Sequence, residues 1–99
     1  MIIGVPVEIK ANENRVSMTP YAVRSLVDDG HRVLVQNNAG IKSGFMNEEY
    51  IRNGAVIVGT MDEIYHDSEM LVKVKEPQES EILKIKPKLK WPNDILMKE

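Results

Sequence analysis

Ile2-Ile3-Gly4-Val5-Pro6-Val7-Glu8 is a short apolar run that ends on a carboxylate, and its alternation with the next segments decides the fold. Residues 10–17 are polar and include Asn12 and Asn14, the composition of a loop. Thr19-Pro20 then opens a helix, with an N-cap hydroxyl and a proline at the first helical position. That helix is expected to run to about Asp29, with Ala22, Val23, Leu26 and Val27 on one face. Gly30 stops it, and His31 to Gln36 carries Val33-Leu34-Val35, a second buried strand.

The same alternation continues outward. A loop from Asn37 to Phe45 holds Gly40 and Gly44. Asn47 is expected to cap a short helix that reaches Asn53 and ends at Gly54. Ala55 to Gly59 reads as a third strand, and Thr60-x-x-Glu63 as a capping box for the next helix. Met70 to Lys75 reads as a fourth strand, and Gln78 to Lys86 as a helix stopped by Pro87. Strands alternating with helices give an α/β fold: a partial Rossmann-like or flavodoxin-like parallel sheet of about four strands, flanked by helices and joined by right-handed crossovers.

Composition narrows the function. The chain has 99 residues, enough for one small domain. Thirteen basic and fifteen acidic residues leave a formal net charge of -2, which argues against a nucleic-acid surface. There is no cysteine, so thiolate metal sites, disulfides and cysteine nucleophiles are excluded. Apolar runs such as Ala55 to Val58 fall far short of the roughly 18 residues a membrane helix needs. The N-terminus opens on a strand-like run without a basic n-region, so no secretory signal and a cytoplasmic protein are expected.

In open parallel sheets, ligands bind beyond the carboxyl ends of the strands. Two charged segments are expected there, Glu8 to Arg15 and Lys73 to Pro77. Arg15 offers a planar fork for a carboxylate. Lys73 and Lys75, two apart on an expected strand, share a face and could serve the same small anion. The same spacing equally fits an exposed edge strand protected by lysines. His31 and His66 lack metal spacing and read as surface histidines, and no metal site is expected. Ser43-Gly44 is a weaker anion candidate and fits a plain turn better. Glu48-Glu49 favours the start of its helix, and the six methionines read as core filler. The six glycines form neither G-x-G-x-x-G nor a P-loop, so no cofactor-binding residue is assigned.

Taken together, these segments resemble a known family. Gly4-Val5-Pro6-x-Glu8, Glu13-x-Arg15-Val16-x-x-Thr19-Pro20, Gly30-His31-x-Val33-x-Val35, Asn38-Ala39-Gly40-Ile41-x-Ser43-Gly44-Phe45 and Leu71-Val72-Lys73-Val74-Lys75-Glu76-Pro77 occur in the order found in alanine dehydrogenases and in the transhydrogenase α chain. The second lysine of the last motif favours the dehydrogenases. The resemblance implies a substrate-binding domain in which Arg15 and Lys75 hold pyruvate or L-alanine. It selects Lys75 over Lys73. It also implies NAD as the cofactor of the full-length enzyme, bound by a separate nucleotide-binding domain and not by this chain. A catalytic histidine expected after the Gln78-to-Lys86 region has no counterpart, since no histidine lies beyond His66. No catalytic residue is therefore assigned, and a fragment inactive alone is expected. A non-catalytic binding module, pairing with a nucleotide-domain chain or with itself, and a transhydrogenase α-chain fragment are the alternatives.

The likeness covers residues 1–86, and 87–99 read as a divergent tail. Lys90-Trp91-Pro92-Asn93-Asp94-Ile95 is similar to a motif of biotin protein ligases. Without that family's other elements, six residues do not make a ligase.

Overall fold

A computed structural model describes residues 1–85. Strand and helix alternate through them: β1 (Ile2–Val5), α1 (Pro20–Asp28), β2 (Arg32–Gln36), α2 (Asn47–Arg52), β3 (Val56–Val58), α3 (Met61–Asp67), β4 (Met70–Leu71) and α4 (Glu79–Ile85). One 3-10 turn, Ile41–Ser43, precedes α2. The tail from residue 87 and the expected last residue of the final helix, Lys86, lie outside the described residues.

All strand pairs are parallel and the order is β3-β2-β1-β4. Alternate residues of each strand feed opposite faces. Ile3, Val5, Val33 and Val35 join Val23 of α1 and Tyr50 of α2 in one core. Leu34 joins Ile64 and Tyr65 of α3 in the other, with Ile2 and Leu71 packed against them. The helices thus cover both faces, which is why the central strands are apolar throughout. Gly4 sits where α3 ends: a Cβ there would come within 2.0 Å of Ser68 Oγ.

The helix starts obey local chemistry. Thr19 accepts from the Ala22 amide at 3.2 Å, and Thr60 accepts from the Glu63 amide at 3.2 Å. The expected Asn47 cap is corrected. Met46 occupies that position without a side-chain bond. Asn47 instead accepts from the Asn38 amide at 2.9 Å and donates to Asn37 Oδ1 at 2.7 Å. Asn38 has φ 63°, and that turn presents an amide the Asn47 side chain satisfies.

The fourth strand is also corrected: Met70–Leu71 replaces the expected Met70 to Lys75. After Leu71 the Val72 amide makes one more bond, to Gly4 O at 3.0 Å. The next amides then turn away from the sheet, because the Glu8 carboxylate takes those of Val74 and Lys75. Lys73 and Lys75 therefore do not alternate along a strand.

The order β3-β2-β1-β4 places the reversal of winding between β1 and β4. The crevice beyond the carboxyl ends of those two strands is where a parallel sheet offers a site. Among the described residues no helix is long and apolar enough to cross a membrane.

Candidate functional site

Glu8, just past β1, is the hinge of this crevice. Its carboxylate accepts from the Val74 amide at 2.9 Å, the Lys75 amide at 3.2 Å and Lys73 Nζ at 3.2 Å. Two further bonds join the segment after β1 to the one after β4. Ser17 donates to Val72 O at 2.7 Å, and Lys10 pairs with Glu76 at 2.5 Å.

Lys73 points inward. Its ammonium lies between Glu8 and Glu81, 2.9 Å from the latter, and its side chain is only 8% exposed. Tyr65 donates to Glu81 at 2.6 Å, and Glu81 also accepts from the Gln78 amide at 2.8 Å. Burial, then the bond to Glu81, pushes the Tyr65 phenol well above its ordinary range. Lys73 is thus the internal counter-ion of two buried carboxylates. It is neither a lysine guarding a sheet edge nor a free anion ligand.

Arg15 and Glu13 form the outer part of the site. Arg15 Nε donates to Glu13 Oε2 at 2.9 Å and Nη2 donates to Oε1 at 2.9 Å. The Arg15 amide gives Glu13 a third bond, at 2.9 Å. The carboxylate side chain is 5% exposed and the arginine 68%. The Arg15 guanidinium, then its amide, pulls the Glu13 acid down to about 2, with the charge of Lys75 helping. The same pairing raises Arg15.

Lys75 is half-buried in the loop after β4. Among the described residues its ammonium forms no ion pair. The structure thus joins the Arg15 and Lys75 segments, through Ser17 to Val72 O, Lys10 to Glu76 and Glu8 to the Lys75 amide. A recess of about 220 Å³ adjoins Arg15, lined in part by Val7, Glu8, Glu13, Asn38 and Ile41. Lys75 is not part of that lining.

The weaker candidates fall outside the crevice. Ser43 donates to Asn14 O at 2.9 Å and accepts from the Val16 amide at 3.2 Å, so it buttresses the Arg15 loop. The Ser43 and Gly44 amides bond to Gly40 O and Ile41 O, which makes the segment a turn and leaves neither amide for an anion. His31 Nδ1 lies 3.4 Å from the amino terminus, and His66 sits beside Asp67 at the surface. Among the described residues no group of His, Asp or Glu could hold a metal ion.

Sequence reasoning gave no role to Glu8, Glu13 or Glu81. Two signals existed. The i, i+2 spacing of Glu13 to Arg15 places both on one side of an extended segment, and Glu81 stands three residues after Gln78 at the start of α4, where a carboxylate can reach back to that amide. Glu8 meets its partners, 65 and more residues away, only through the sheet order.

A dinucleotide does not fit the first strand–helix connection. Residues 6–19 contain no glycine to let a backbone approach a pyrophosphate, and they hold two buried carboxylates, Glu8 and Glu13, which an anion would meet with repulsion.

Comparison with known proteins agrees with this architecture. The family model "Alanine dehydrogenase/PNT, N-terminal domain" matches residues 4–90. The chain is 56% identical over 77 residues to an alanine dehydrogenase of Bacillus subtilis strain 168, covering 78% of this chain and 20% of that one. It is 49% identical over 81 residues to one from Methanococcus maripaludis, covering 82% and 22%. A solved L-alanine dehydrogenase superposes with a TM-score of 0.83 at 44% identity, over 86% of this chain and 23% of that one. A transhydrogenase from Sinorhizobium meliloti does so with 0.79 at 27% identity, over 85% and 24%. The chain thus spans less than a quarter of the length of each of these relatives. With its motifs, sheet order and matched span in accord, the chain belongs to the alanine dehydrogenase/PNT family, in that family's N-terminal domain.

Proposed function

We propose that this chain is the substrate-binding side of an alanine dehydrogenase, holding L-alanine or pyruvate between Arg15 and Lys75. The observation that carries the reading is the joining of the Arg15 and Lys75 segments at the β1–β4 crevice, by Ser17 to Val72 O, Glu8 to the Lys75 amide and Lys10 to Glu76. Arg15 clamps the substrate carboxylate. Lys75 hydrogen-bonds the carbonyl oxygen of pyruvate and favours negative charge there. Glu8, which grips the Lys75 amide, keeps that lysine in place.

The whole protein's reaction is proposed to be reversible conversion of L-alanine, NAD and water to pyruvate, ammonia and NADH. It takes place in the cytoplasm. The NAD site belongs to a separate nucleotide-binding domain, because residues 6–19 do not suit a pyrophosphate. By itself the chain is inactive, and self-association or docking with such a domain completes the site. The likeness to the Sinorhizobium transhydrogenase supports a second reading, a transhydrogenase α-chain domain. The higher identity to dehydrogenases favours the first.

Calorimetric titration with pyruvate tests the site. Arg15→Ala and Lys75→Ala should each weaken binding by roughly ten- to a hundredfold, the loss of a charge-assisted bond. Equal affinity in both variants would remove these residues from the site. NADH formation from alanine and NAD by the pure chain would contradict its inactivity.

A further inference from the structure

Glu13 uses both carboxylate oxygens on one edge of Arg15. The guanidinium is a planar fork with two edges that can each take a carboxylate, Nε with Nη2 and Nη1 with Nη2. Glu13 occupies the first at 2.9 Å on both atoms. Nη1 has no partner among the described residues, and the Arg15 side chain is 68% exposed. The carboxylate beneath it is 5% exposed.

We propose that Glu13 is a positioning residue: it holds Arg15 by the Nε/Nη2 edge and so presents the Nη1/Nη2 edge to the carboxylate of a small 2-oxo or 2-amino acid. This rests on the reading of Arg15 as the carboxylate ligand.

The opposite arrangement has a ligand displacing Glu13 from the Nε/Nη2 edge. It would leave a buried carboxylate with only the Arg15 amide as a direct partner. Glu13 is held ionised far below the ordinary carboxylate range, which keeps the clamp charged at neutral pH. An unpaired Arg15 would carry more positive charge but would sample many rotamers, and each substrate bond would cost the entropy of ordering it.

The test uses the full chain, 15N-labelled, titrated with pyruvate and monitored by NMR. In the unmodified chain, pyruvate should shift the Arg15 Nη signals and leave the Nε–Hε signal in place. Glu13→Gln should keep the backbone amide spectrum apart from residues 13–15, where the Arg15 amide loses its charged acceptor, and move the Nε–Hε signal to the position of solvent-exposed arginines. It should weaken pyruvate binding about tenfold, the cost of one misplaced charge-assisted bond.

Pyruvate binding to Glu13→Gln as tight as to the unmodified chain, or tighter, while Arg15→Ala loses it, would overturn this proposal and leave Arg15 as the ligand. Loss of the Nε–Hε position on adding pyruvate would likewise show that the ligand displaces Glu13. Full affinity in Arg15→Ala, or none in the unmodified chain, would overturn the reading of Arg15 and this proposal with it. Should Glu13→Gln unfold, Glu13→Asp decides the matter, because it keeps the charge on a shorter arm. Weakened binding there upholds the positioning role, and unchanged binding overturns it.

Discussion

The Lys73 ammonium lies 2.9 Å from the Glu81 carboxylate, with the two side chains 8% and 0% exposed. The pair ties α4 to the loop after β4, two positions along the chain from Lys75. Such a buried pair adds little over an apolar one, but removing one partner strands the other. Lys73 also serves Glu8, so its loss leaves two buried carboxylates.

Lys73→Met should therefore lower the unfolding free energy by about 3–5 kcal/mol. Lys75→Met, at a half-buried position outside any ion pair among the described residues, should cost less than about 1 kcal/mol. Urea unfolding of both variants checks this, and equal losses would contradict the separation of the two lysines.

Tyr65→Phe removes the hydroxyl that donates to Glu81 at 2.6 Å. The loss should be about 1.5–3 kcal/mol, the scale for a hydrogen bond to a charged group. A thermal melt indistinguishable from that of the unmodified chain would show that Lys73 and the Gln78 amide already satisfy Glu81.

Acid stability should track Glu13. Its acid is pulled down to about 2 from the ordinary 4.5, chiefly by the Arg15 guanidinium. A depressed folded value means that the contribution is fully present above 4.5 and is lost as pH falls toward 2. The Glu13 side-chain carboxyl carbon, observed by NMR, should titrate near the lower value. In Arg15→Ala it should return toward the ordinary one. Titration near 4.5 in the unmodified chain would remove the ion pair from solution.

Alkali acts in the other direction through Tyr50, 0% exposed and pushed up to about 12 mainly by that burial. Its neutral form is favoured on folding, so the contribution is intact below 10 and lost as pH rises toward 12. Stability measured by denaturant should fall over that interval. Tyr50→Phe should shallow the fall, and an identical slope would assign it to other groups.

Gly40→Ala probes how the Arg15 loop is supported. A Cβ there would lie 2.7 Å from the Tyr50 hydroxyl and 2.8 Å from its ring. That ring is anchored by donation to Met18 O at 2.8 Å and cannot easily yield. The substitution should cost about 1–3 kcal/mol, the usual range for overpacking. At Gly44 a Cβ meets open space, and only φ 86° opposes it. Gly44→Ala should cost about 1 kcal/mol. Thermal melts compare the two, and a larger loss at Gly44 would contradict the clash at Gly40.

Much of the fold was legible because it is locally encoded. The Thr19-Pro20 start, the Thr60 cap and the glycines ending α1 and α2 act within one helical turn. The apolar runs Ile2 to Val5 and Val33 to Val35 declare buried strands by composition alone. Arg15 and Lys75 were legible as chemistry, and family resemblance ranked them. The short β4 and the inward turn of Lys73 were not legible. Both depend on Glu8, which is 65 residues from Lys73 in the chain.

Sequence was enough for a parallel α/β domain, for the starts of α1 and α3 and for the likeness to the alanine dehydrogenase family. Those come from periodicity, capping and ordered motifs, which act over a few residues or are read directly. The tertiary structure alone decided the order β3-β2-β1-β4, and with it the meeting of β1 and β4. It thereby sorted two near-identical lysines, burying Lys73 against Glu8 and Glu81 and leaving Lys75 half-buried with its amide held by Glu8. The physical reason is range. Hydrogen bonds and buried ion pairs act over about 3 Å through space, and no local pattern records which distant carboxylate will come that close.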